Sequence, residues 1–177
     1  WNDTQTVISE YGVKGEKQWR FSEKIRSLKG ADYIVIIDGD EGDDPTAGQA
    51  VSGTNNRGYF GFQKDKRTAF IHYSNWGFGI DEETMAHELG HLLGMSHSRQ
   101  QAIEIWGEDA GVSGTFPWAT GHALFDKFGT IMTYPSKFGR AVGIRRFSDA
   151  SRSDCEYTDP ITSENIYNVH CGVDRSD

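Results

Sequence analysis

His87-Glu88-Leu89-Gly90-His91-Leu92-Leu93-Gly94-Met95-Ser96-His97 decides how the rest of the chain is read. It fits H-E-x-x-H-x-x-G-x-x-H, and each fixed position has a physical task. His87 and His91 are four apart, so on a helix they share a face and can grip one metal ion. Glu88, between them, can take a proton from a water on that metal. Gly94 lets the helix end in a left-handed turn that a residue with a Cβ adopts reluctantly. The chain then turns away, and His97 can return as a third ligand. Three imidazoles with one open position suit catalytic zinc, whereas a structural site is closed by a fourth protein ligand. A bare H-E-x-x-H recurs by chance on helices with two surface histidines. The extended pattern uses three of the six histidines in the chain, and chance explains it poorly.

The extended motif resembles the signature of the metzincin clan of zinc endopeptidases. That clan has a second feature, a tight turn with a methionine under the zinc. Thr130-Ile131-Met132-Thr133-Tyr134-Pro135 is similar to this Met-turn. Alone, a methionine among Ile and Tyr is more often plain core. The resemblance implies that Met132 forms an apolar floor beneath the three histidines without ligating the metal. Ser98 resembles the matrixins, but the long stretch from His97 to Met132 does not. The Met132-x-Tyr134 spacing resembles astacins and serralysins, where that tyrosine can bind zinc. The order Gly30-Ala31-Asp32-Tyr33-Ile34-Val35, the zinc motif, then Gly129-Thr130-Ile131-Met132 looks most like bacterial reprolysin-like enzymes, which include the peptidyl-Asp metalloendopeptidases. This last resemblance covers most of the chain, loosely outside the two motifs.

The resemblance implies a secreted zinc endopeptidase acting on protein or peptide substrates, with one catalytic zinc on His87, His91 and His97 and Glu88 as general base. Tyr134 is then a zinc ligand at rest, a donor to the oxyanion, or a buried aromatic beside the turn. The segment after the turn, residues 135–146, lines the pocket just beyond the cut. Lys137, Arg140, Arg145 and Arg146 make that segment basic, and Arg140 and Lys137 are the candidates to favour an acidic side chain there. The bland reading of those residues is a solvated loop. Two other functions compete. A catalytically silent metzincin-fold binding protein would usually have lost Glu88 or a histidine, and neither is lost. A non-peptidase zinc hydrolase is disfavoured by the Met-turn.

The chain of 177 residues is the size of one domain and can bury a real core. The expected fold is α/β in the α+β sense: a metzincin catalytic domain with a twisted mixed sheet, an active-site helix, the Met-turn and a C-terminal helix. One domain is expected over 1–177, with an upper part to about residue 97 and a lower part from about 98. A monomer is expected. The net charge of −8 and pI near 5.2 argue against nucleic acid or an anionic membrane as main partner. No apolar run approaches the length that crosses a bilayer. The first residue is Trp1, which fits a chain that has lost a secretion signal and an N-terminal prosegment, and fits a recombinant fragment equally. Cys155 and Cys171 lie far from the histidine motif. An extracellular protease would bridge them, at roughly 3 kcal/mol by the loop-entropy model; two buried thiols are the alternative.

Along the chain, Trp19, Phe21, Ile25 and Leu28 are spaced for a helix over about 15–28, with Gly30 as its stop. Tyr33 to Ile37 reads as a buried strand. Residues 38–56 read as loop, and Asp38, Asp40, Glu41, Asp43 and Asp44 at its start could bind calcium. That stretch does not match the EF-hand pattern, and a solvated acidic loop is the commoner case. Residues 59–62 and 68–73 read as strands. The second is the candidate for the free edge that pairs with an extended substrate, and the first is the alternative. His72 reads as a surface or rim histidine. Asp81 is the expected N-cap of an active-site helix over about 82–93, in which Met85, Leu89 and Leu92 face the sheet. Gln100 to Trp106 reads as a helix. His122 reads as structural or as part of the cleft wall. Thr162 to Val169 reads as the C-terminal helix, with Ile166 and Val169 on its apolar side.

Overall fold

The computed structural model describes residues 17–38, 48–50, 68–72, 82–106, 114, 116 and 118–172. These divide into two compact units, one ending at Gly94 and the other taking in Met95 onward. The possible calcium loop beyond Asp38, the strand at 59–62, the side chain of His72 and the Asp81 cap lie outside the described residues.

The first unit opens with α1 (Lys17–Lys29). Gly30, at φ +64°, stops it. The Ala31 N–H reaches back to the Arg26 carbonyl at 3.0 Å and the Gly30 N–H to the Ser27 carbonyl at 3.3 Å. This paired ending satisfies two carbonyls that a helix C-terminus leaves open. Three strands follow: β1 (Ile34–Asp38), β2 (Gly48–Ala50) and β3 (Thr68–His72). Their order is β1-β3-β2. β1 runs parallel to β3, with Ile36 opposite Phe70, and β2 runs antiparallel to it, with Ala50 opposite Ala69. The sheet is therefore mixed. Helix α2 (Glu82–Leu92) packs against β2 and β3.

Three expectations change here. β3 has a neighbour on each side, so residues 68–72 cannot be the free edge. Among the described residues the outer strands of this sheet are β1 and β2, and β2 lies inside the stretch expected to be loop. Gly48 and Ala50 have weak strand propensity, and pairing with β3 overrides it. β1 is half-buried rather than buried, with Ile37 50% exposed.

In the second unit, α3 (Arg99–Trp106) comes first. Three short strands follow, β4 (Ala123–Leu124), β5 (Phe128–Gly129) and β6 (Val142–Gly143), with β5 in the middle. β7 (Cys155–Thr158) and β8 (Asn165–Val169) form an antiparallel pair. The core gathers Phe128, Ile144, Tyr157 and the two cysteines, with Leu124, Val142, Ile166 and Val169 packed around them. Burying a side chain such as Phe128 contributes about 1.5–3 kcal/mol. Cys155 and Cys171 are joined by a disulfide, their Cα atoms 5.4 Å apart.

The expected C-terminal helix is instead β8. Asp159 turns the chain: its Oδ1 accepts the N–H groups of Ile161 at 2.8 Å and Thr162 at 2.9 Å. The register then shifts, with Cys155 opposite Val169 but Tyr157 opposite Ile166. Three steps on β8 match two on β7, which is a β-bulge. Asn168 sits there at φ +58°. The bulge lets Ile166 and Val169 both reach the core at a spacing of three, which mimics a helical period.

Candidate metal centre

The site is built on one helix and the turn that leaves it. In α2, His87 and His91 lie one turn apart, their rings 4.9 Å apart and edge to face. Gly94, at φ +91°, ends the helix, with its N–H bonded to the His91 carbonyl at 3.0 Å. Ser96 is then clamped in a short parallel bridge with Thr120. Its N–H donates to the Ala119 carbonyl at 2.9 Å and its carbonyl accepts from Gly121 at 3.0 Å. That clamp fixes the backbone beside His97. One ligand atom from each of His87, His91 and His97 lies within 4.8 Å of the others. His87 is buried and the other two are half-buried. No fourth His, Cys, Asp or Glu among the described residues joins the group. Three nitrogen donors without a fourth protein ligand match a zinc site with an open position.

Glu88 is 5% exposed. Its pKa is pushed up to about 7 because burial removes water from its charged form, and a hydrogen bond from the Ala50 backbone N–H partly offsets this. A dication held by the histidines would lower it further. Strand β2 lies hard against this carboxyl. A Cβ on Gly48 would fall 2.8 Å from Thr84 Cγ2 and 2.9 Å from Glu88 Cγ. Only glycine allows that approach.

The segment 130–134 is held by its own backbone. The Thr133 N–H and Oγ1 both donate to the Thr130 carbonyl, at 2.9 and 2.6 Å. The Ile131 N–H bonds the Arg146 carbonyl at 2.9 Å. Met132 is wholly buried. Tyr134, 42% exposed, sets its ring 4.7 Å from that of His97. Its N–H donates to Oε1 of Gln101 at 2.9 Å. Gln101 was not among the residues singled out from sequence. The signal was present: Ser98-x-x-Gln101 is a capping-box pattern just after the third histidine. Gly48 and Ala50 had no comparable signal.

The other candidates belong to the second unit. Lys137 is exposed at the end of a short 3-10 turn, Pro135–Lys137. Arg140 is exposed too, with its backbone N–H on Asp126 Oδ1 at 2.9 Å. Arg146 is paired with Asp154 at 3.3 Å. His122 is not in the metal group. It is half-buried against the edge of Phe128, with ring centroids 5.8 Å apart, and burial holds its pKa below the ordinary value.

No family model matches this chain, and no solved structure matches it. The peptidyl-Asp metalloendopeptidase of Pseudomonas aeruginosa is 32% identical over 125 residues, 66% of this chain. The chain spans only 20% of that relative's length. Over that stretch the chain is a distant relative of a metalloendopeptidase, and its histidine group fits the zinc site of such a protein.

Proposed function

We propose that this chain carries the catalytic site of a secreted, zinc-dependent endopeptidase of the metzincin kind. The observation that carries the reading is the three-histidine group with Glu88 buried on the same helix. The distant metalloendopeptidase relative supports it. His87, His91 and His97 would hold the zinc, which when bound supplies Lewis acidity, acidifying a water and polarising the scissile carbonyl. Glu88 takes the proton of the attacking water and passes it to the leaving amine. Tyr134, beside His97, donates its phenol proton in a hydrogen bond to the developing oxyanion. Met132, within the tight turn, serves as the apolar floor.

The substrate, a protein or peptide, lies extended along the outer edge of β2, which no strand among the described residues covers. Lys137 and Arg140 favour an acidic side chain just beyond the cut, in keeping with the relative's name. The disulfide suits an oxidising, extracellular setting. The chain acts as a monomer.

The deciding experiment is digestion of casein by the purified chain. Cleavage should stop with a zinc chelator and return when zinc is added back. Zinc-loaded protein that leaves casein and a broad peptide library intact would remove the reading in favour of a silent binding protein.

A further inference from the structure

Gln101 has an unusual set of bonds for a side chain that is only 1% exposed. Its Oε1 accepts the Tyr134 N–H at 2.9 Å and the Ser98 hydroxyl at 3.3 Å. The Ser98 oxygen in turn accepts the Gln101 N–H at 3.3 Å and so caps α3. The Nε2 atom is buried and, among the described residues, has no hydrogen-bond partner. The orientation of the amide is settled by chemistry, because the Tyr134 N–H can only donate and so must face an oxygen. A buried amide with its donor unmet is costly, and an apolar residue of this size would avoid that cost. What an apolar residue could not do is hold the Tyr134 N–H.

The place of that N–H matters. Tyr134 precedes Pro135 and is extended, with φ −99° and ψ 99°. It lies directly after the tight turn at 130–133, and its ring packs on His97. Residues 97–101 therefore grip Tyr134 twice, by its ring through His97 and by its backbone through Gln101. We propose that Gln101 is a positioning residue for the reaction: by accepting the Tyr134 N–H, it fixes the place of the Tyr134 phenol beside His97. This rests on the reading that Tyr134 acts on the oxyanion.

The test compares Gln101→Met, Gln101→Asn and Tyr134→Phe, alone and with Gln101→Met combined with Tyr134→Phe. Met matches the length without the acceptor, and Asn keeps the amide but falls short of the contact. Three quantities are read: zinc per chain, hydrogen exchange of the Tyr134 amide, and kcat and KM on a peptide substrate. Both Gln101 variants should keep zinc and release the Tyr134 amide to exchange. Each should lower kcat by at least ~10-fold, within the range that a small misplacement can cost, with little change in KM. Gln101→Met should add nothing to Tyr134→Phe, because both act through the phenol. Full additivity, or a Tyr134 amide as protected as in the parent, overturns the proposal. If Tyr134→Phe alone leaves kcat unchanged, the oxyanion role of Tyr134 is lost, while the amide exchange still reports whether Gln101 holds the segment.

Discussion

The Glu88 carboxylate accepts a hydrogen bond from the Ala50 backbone N–H, which ties the acid of the histidine helix to strand β2. The tie needs Gly48, where an added Cβ would fall 3.1 Å from Glu88 Oε1 and closer still to Glu88 Cγ and Thr84 Cγ2. Gly48→Ala should push the strand and helix apart. Overpacking of this kind costs about 1–3 kcal/mol, and displacement of Glu88 should reduce turnover as well. Chemical denaturation and peptide kinetics read the two effects. A variant as stable and as fast as the parent would show that β2 has room to spare.

Glu88 is also the residue that most sharply separates an enzyme from a binding protein. Glu88→Gln keeps the size and the acceptor for Ala50 but cannot take a proton. It should retain zinc and fold, and turnover should drop at least ~10²-fold, the scale of lost general-base catalysis. Turnover within a few-fold of the parent would assign the base to another residue.

The zinc assignment is tested by comparing two histidines. His97 is in the metal group and His122 is not. His97→Ala should lose zinc during dialysis against a mild chelator that leaves the parent loaded, since it removes one of three ligands. His122→Ala should stay loaded. Equal loss from both would mean that the third ligand had been misassigned.

What could be read from sequence was what lies close together along the chain. The histidine group spans eleven residues on a helix and its exit turn, so spacing alone predicts it. The ties of Glu88 to Ala50 and of Gln101 to Tyr134 join residues far apart in sequence, and no local pattern records them. Strand β2 was hidden because Gly48 and Ala50 have little strand propensity, and its pairing comes from β3. Strand β8 was misread for another reason. Its bulge at Asn168 spaces Ile166 and Val169 by three, so a strand carried a helix-like period.

His122 makes the stability of the fold depend on pH in a definite direction. Burial, and to a lesser degree the nearby His170, hold its pKa below the ordinary 6.5. The unfolded chain therefore takes up this proton before the folded one does. Stability from this site is fully present above the unfolded pKa and falls as pH drops through it toward the folded pKa. Unfolding free energies at about pH 8 and about pH 5.5 should differ more in the parent than in His122→Gln. The zinc ligands titrate in both proteins, so their effect cancels in the comparison. An equal difference in the two would mean that His122 titrates as it does in the unfolded chain.

The specificity of the proposed enzyme turns on residues 135–146. Of the four basic residues there, Arg146 is engaged with Asp154, while Lys137 and Arg140 are exposed and are the first candidates for a substrate carboxylate. The Arg140 backbone is anchored to Asp126 while its side chain is exposed, so Arg140→Ala keeps the loop and removes only the charge. Digestion of a peptide library by the parent should show enrichment of Asp or Glu just after the cut, because an apolar side chain there would leave the guanidinium without a partner. In Arg140→Ala that enrichment should shrink by several-fold, the order expected when one partly exposed charge pair is lost. A parent enzyme that prefers large apolar residues at this position would dispose of the acidic-pocket idea. An acidic preference that survives in Arg140→Ala but disappears in Lys137→Ala would move the recognition to the 3-10 turn.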